Sequence, residues 1–248
     1  MVLHPGLLDQ EKLVTSIHVS PKTLLYVRSF WLVYTILCLI LEIVYFGRTL
    51  WGFFTEWTWL GLIFYLSTAV YNSHLYVTKS DALAIMEARP YWMKYGNWLL
   101  YALPATYVYI VSIVFWALLA SVLSNADSVN SWLTVSQHAL NSVIMIGELV
   151  LGRIPLAYAF MIPFIVIALM YLGIALVFHA VYGSWSYGFL DTSKPMWYLW
   201  YIGVILFFVI EFVVVVYIHN SRDRRRERLQ KPVLRINEVE LDKRDGSV

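Results

Sequence analysis

Long apolar runs separated by short polar stretches occupy most of the chain. A helix satisfies its own backbone in hydrocarbon, and about 20 apolar residues cover a bilayer core about 30 Å thick. Six runs fit: Phe30 to Phe46 (from Leu24 at the earliest), Trp57 to Val77, Asn97 to Leu123, Trp132 to Leu151, Ile154 to Tyr182 and Met196 to Ile218. The separators carry turn chemistry: Gly47-Arg48, the polar run Thr78 to Pro90, Ser124 to Asp127, Gly152 to Pro155, and Asp191 to Pro195. The fourth run holds Ser136, Gln137, His138, Asn141, Ser142 and Glu148. It is too polar to face lipid all round, which predicts one face turned into a bundle. The pattern predicts an all-α polytopic membrane bundle of six transmembrane helices over 24–218. A cytosolic segment, 1–23, precedes it, and a basic, disordered cytosolic tail, 219–248, follows.

Composition agrees with the pattern. Of 248 residues, 60% are apolar and 14% charged, against roughly 25% charged in soluble domains. Fifteen of the charged residues fall between His219 and Val248, so the body is poorer still. The single cysteine, Cys38, excludes a disulfide scaffold, and 17% aromatic content excludes a collagenous or disordered chain. A net charge of +2, with no basic stripe over a folded domain, argues against nucleic-acid binding. The opening Met1 to Gly6 lacks the basic region and short apolar core of a signal peptide, so none is expected. With six spans both termini share a side. Placing them in the cytosol puts Lys12, Lys22, Arg28, Lys79, Arg89, Lys94, Arg153 and the nine basic residues of the tail inside, and only Arg48 and Lys194 outside. The tail opens with Arg222, Arg224, Arg225, Arg226 and Arg228, a cluster that reads either as a stop-transfer run or as a contact for anionic lipid headgroups. Such clusters also retain membrane proteins internally, which makes the endoplasmic reticulum or another endomembrane the expected location.

Ionisable groups inside a span are costly and usually face an interior cavity. Thr58 lies in the first turn of the second span, on the outer side. His138 is six residues past Trp132, about 9 Å deep at 1.5 Å per residue. The fifth span runs the other way and puts His179 about one turn from its outer end. Glu42 and Glu56 share this half, Glu148 sits near the inner face, and Glu211 lies mid-span. A threonine hydroxyl becomes a useful nucleophile when an adjacent base removes its proton, so Thr58 and His138 at one depth form a candidate pair. Asn141, one turn past His138, and His179 are candidates for orienting the base or donating to an oxyanion. Each also has a structural reading: a helix-end hydroxyl bonded to backbone for Thr58, interhelical hydrogen bonds for the others. Glu148 is about 15 Å from His138 along the axis, too far to assist it, and is expected to pair with Arg153 or another inner-side group.

Other chemistries lack their motifs. There is no H-E-x-x-H, His-rich box, G-x-S-x-G elbow, Walker loop or Gly-rich dinucleotide turn, so no cofactor or metal is expected. The eleven Trp and eighteen Tyr gather near span ends, as interface belts do.

Four stretches resemble the androgen-induced-gene family of multispanning intramembrane hydrolases, to which the insect rolling stone proteins look distantly related. They are Glu56 to Leu62, with a Thr opening a span; His138 to Val143 followed by Gly147-Glu148; His179 with Gly183; and Trp185 to Asp191, close to a W-x-Y-P-F-L-[D/E] pattern with Gly188 in place of the proline. The resemblance covers Phe30 to Ile218. It implies that Thr58 is the nucleophile and His138 its base in a metal-independent hydrolase of fatty acid esters of hydroxy fatty acids, with a membrane lipid as substrate. The competing expectation is a non-catalytic transporter, lipid-binding or fusion protein, whose polar groups would line a continuous path from Glu42 and His138 through Glu211 to Glu148.

Overall fold

The computed structural model describes residues 8–245, and within them all regular structure is helical. Met1 to Gly6 lies outside the described residues.

Six long helical stretches follow a single turn at Glu11–Val14. The first, α1 (Pro21–Phe46), is started by Ser20, whose Oγ accepts the Thr23 N–H, with Pro21 pre-set in its first turn. Then come α2 (Phe54–Thr78), α3 (Tyr91–Asn125), α4 (128–151), α5 (Tyr158–Tyr182) and α6, which starts at Trp197. Asp127 opens α4 by accepting the Val129 and Asn130 N–H groups, each at 2.9 Å. Both α3 and α4 are irregular, with a π turn at Phe115–Leu119 in α3 and another at Ser136–Leu140 in α4.

Four of these helices, α1, α3, α5 and α6, are long and apolar enough to cross a membrane. Their outward faces are aliphatic and aromatic at helical spacing: Phe30, Val33, Leu37, Ile40 and Val44 on α1, and Ile202, Leu206, Ile210 and Tyr217 on α6. So much exposed apolar surface is untenable in water and ordinary against lipid. The chain is therefore an integral membrane protein.

The other two stretches are of similar length and more polar because they face protein. Along α2, Thr55, Glu56, Thr58, Asn72 and Ser73 are buried, and the helix packs on α1, α3 and the amino-terminal turn. In α4, Ser136, Gln137, His138, Asn141 and Glu148 are buried. The inward polar face expected of the fourth run is present. Gly147 brings α1 and α4 together, since a Cβ there would stand 2.5 Å from the Trp31 ring.

A buried ion pair ties one end of the bundle. Arg28 Nε and one terminal nitrogen donate to the two Glu148 oxygens, both at 2.8 Å, and both side chains are 0% exposed. The Tyr65 hydroxyl donates to Glu148 Oε2 at 2.6 Å, while Arg28 also donates to the Leu13 carbonyl and to Ser73 Oγ. Glu148 thus takes Arg28 as its inner-side partner. Arg153 instead donates to Glu11 and Thr15.

At the same end the apolar run of α6 passes into the basic segment that begins at His219. The last helix runs on to Asp245. Its first turns beyond the apolar run are held because Arg222 donates to the Leu149 and Ile154 carbonyls and Arg226 to the Val150 and Gly152 carbonyls. These two side chains cover the negative end of α4, where unpaired carbonyls favour cations. They are committed to protein groups, which leaves Arg224, Arg225 and Arg228 of the expected headgroup cluster.

Candidate functional site

At the opposite end, α2 begins one turn earlier than the apolar pattern places it, at Phe54. Thr55 thereby enters the first turn and faces α4. Its Oγ1 lies 3.2 Å from His138 Nε2. The other ring nitrogen, Nδ1, is 2.7 Å from the Thr134 carbonyl, an atom that can only accept. The proton of neutral His138 therefore sits on Nδ1, and Nε2 presents a lone pair to the threonine hydroxyl. That is the arrangement a general base requires.

The two π turns meet at this histidine. Phe115 stacks on its ring with centroids 3.9 Å apart, and the Trp116 indole donates to the His138 carbonyl at 2.8 Å. Such single wide turns are frequent at functional positions because they re-aim a side chain within a helix. Beside His138, Gln137 Nε2 donates to Glu56 Oε2 at 2.7 Å, and Glu42 of α1 faces Glu56.

Thr55 and His138 open onto a cavity of about 400 Å³, within the roughly 300–1,000 Å³ range of ligand pockets. Its walls are almost wholly apolar and include Ile110 and Val114 of α3, Leu169 and Leu172 of α5, and Val204 and Phe208 of α6. The loop between α5 and α6 contributes Tyr187, Phe189 and Leu190. Tyr187 accepts the Phe54 N–H at 3.0 Å, and Tyr171 donates to the Gly52 carbonyl at 3.0 Å. Gly52 is required at that point, because a Cβ would stand 2.6 Å from the Phe178 ring.

Of the four residues the sequence singled out, His138 alone is among those lining the cavity. Thr55, and not Thr58, bonds the His138 ring; Thr58 Oγ1 donates to the Thr55 carbonyl at 2.8 Å. Asn141 joins α4 to α3, its Oδ1 accepting from Ser112 Oγ at 3.1 Å. His179 lies face to face with Trp185, ring centroids 3.9 Å apart, away from the cavity wall. The residues missed are Thr55 and Tyr187. Thr55 was hidden by placing the start of the span at Trp57, although it lies three residues before Thr58 on nearly the same face. Another histidine outside the expectation, His219, accepts or donates at Nε2 with the Tyr101 hydroxyl at 2.7 Å and bonds the Val215 carbonyl through Nδ1.

Among the described residues, no three His, Cys, Asp or Glu side chains converge in a way that could hold a metal ion. Compared with known protein families, curated proteins and solved structures, the chain matches none.

Proposed function

We propose that the protein is an intramembrane lipid ester hydrolase in which Thr55 is the nucleophile and His138 its base. The observation that carries this is the Thr55 hydroxyl bonded to the free nitrogen of a tautomer-fixed histidine at the wall of an apolar cavity. His138 takes the Thr55 proton as Oγ1 attacks the ester carbonyl, then returns it to the departing alkoxide, leaving an acyl-threonine and a free alcohol. A water molecule, deprotonated by His138, cleaves the acyl group as the acid and Thr55 regains its proton.

An acyl chain fits the apolar walls, with the ester at the polar end where exclusion of water strengthens each hydrogen bond. The likeness to the androgen-induced-gene family supports fatty acid esters of hydroxy fatty acids, or similar lipids, as substrates. Two observations favour this reading over a transporter. Glu148 is locked to Arg28, and Glu42, Glu148 and Glu211 are not among the residues lining the cavity.

The same reading takes α2 and α4 as the second and fourth of six membrane spans, each with its polar face turned into the bundle, with both termini cytosolic in an endomembrane. Arg224, Arg225 and Arg228 then remain for anionic headgroups. The test is turnover of a branched fatty acid ester by purified protein. Thr55→Ala and His138→Ala are each expected to lower the rate at least about a hundredfold, and Thr58→Ala to leave it within about threefold. Equal turnover by all four proteins sinks the assignment.

A further inference from the structure

The stretch Trp185 to Asp191 stands out in the sequence and has no part in the reaction so far. Tyr187 is where that loop reaches the reactive pair. Its oxygen accepts the Phe54 N–H at 3.0 Å in the first turn of α2 and lies beside the hydroxyl of Thr55. The ring is fixed by edge contact with Phe53 and stacking on Phe189, and it lines the same cavity as Thr55 and His138. A phenol has one hydrogen to give, and here the Phe54 N–H already occupies one side of the oxygen. Neighbouring Tyr171 gives its own hydrogen to the Gly52 carbonyl. Burial pushes the Tyr187 hydroxyl up from its ordinary value, so it stays protonated and able to donate. The positive end of the α2 dipole lies at the same spot.

We propose that Tyr187 is a further catalytic residue: its hydroxyl donates the hydrogen bond that stabilises the oxyanion formed when Thr55 attacks an ester carbonyl. The assignment rests on the hydrolase reading above. As the Thr55 Oγ1–carbon bond forms, the Thr55 proton passes to His138 Nε2 and the carbonyl π pair moves onto oxygen. Tyr187 keeps its proton and bonds to that oxygen. When the pair returns, the bond to the alkoxide breaks, and His138 protonates the leaving oxygen. A donor already fixed by packing needs no reorganisation as the charge develops.

The experiment compares steady-state hydrolysis of a 4-nitrophenyl fatty acyl ester by wild type, Tyr187→Phe and Tyr45→Phe. Removing one such donor costs about 10² to 10³ in kcat, so Tyr187→Phe is expected to lose that much with KM changed less than about threefold. Tyr45→Phe, which removes an exposed phenol away from the cavity, is expected to keep kcat within about threefold. A Tyr187→Phe enzyme with near wild-type kcat, or a loss carried in KM, overturns the proposal. Should Tyr187→Phe fail to fold, 3,5-difluorotyrosine incorporated at position 187 keeps the shape and lowers the pKa of the phenol. Its activity is then expected to fall as pH rises through that lowered value, where wild type stays level, and a profile matching wild type overturns the assignment. Wild type that leaves every ester intact overturns the hydrolase reading together with this one. An active wild type with an unaffected Tyr187→Phe overturns this one alone.

Discussion

Replacing Glu148 by Gln leaves the Arg28 guanidinium charged, 0% exposed and without its counter-charge. Two short bonds from Arg28 and one from Tyr65 converge on that carboxylate. Removing one partner of a fully buried pair costs about 3–5 kcal/mol. In a chain of this size each kcal/mol moves the unfolding midpoint by about 2–4 °C, which gives a fall of roughly 6–20 °C. Thermal unfolding in detergent, followed by fluorescence of the eleven tryptophans, measures it. Arg28→Met is expected to lose a similar amount for the opposite reason. The double variant Arg28→Met, Glu148→Gln removes both charges and should be no worse than the poorer single, a coupling above about 2 kcal/mol. Single losses below about 1 kcal/mol, or losses that simply add, would refute the claim that this pair is a desolvated unit.

Gly147→Leu forces a side chain into the Trp31 ring and is expected to cost about 1–3 kcal/mol, read as a lower midpoint in the same assay. Asp127, at the exposed start of α4, is held below its ordinary value first by the Asn130 N–H and then by the Tyr45 hydroxyl. Its folded pKa is lowered, so its contribution is present above the unfolded value and lost as pH falls through the folded one. The midpoint difference between wild type and Asp127→Asn should therefore be full at about pH 6 and shrink below about pH 4; a gap unchanged between the two pH values contradicts the cap.

Apolar run length was enough to place α1, α3, α5 and α6, because lipid-facing helices must be apolar over their whole outer surface. The same logic marked α4 as inward-facing, since Gln137, His138, Asn141 and Glu148 could be tolerated only against protein. It misjudged the start of α2. A carboxyl group at Glu56 reads as the edge of a span, yet Gln137 satisfies it inside the bundle, and the helix begins before it at Phe54. That one turn decided which threonine meets His138. The Arg28 to Glu148 pair was beyond reach for a different reason: its partners are 120 residues apart, and charge alone does not say which inner-side cation a carboxylate selects. Arg222 and Arg226 were weighed against water and lipid alone, when the open carbonyls at the end of α4 were closer.

In the proposed reaction Thr55, activated by His138, carries the acyl group. Protein incubated with a 4-nitrophenyl fatty acyl ester, quenched in acid, digested and mapped by mass spectrometry tests it most directly. An acyl adduct is expected on Thr55 in wild type and in Thr58→Ala, and no adduct in Thr55→Ala or His138→Ala. An acyl group on Thr58, or ester turnover undiminished in Thr55→Ala, would contradict it.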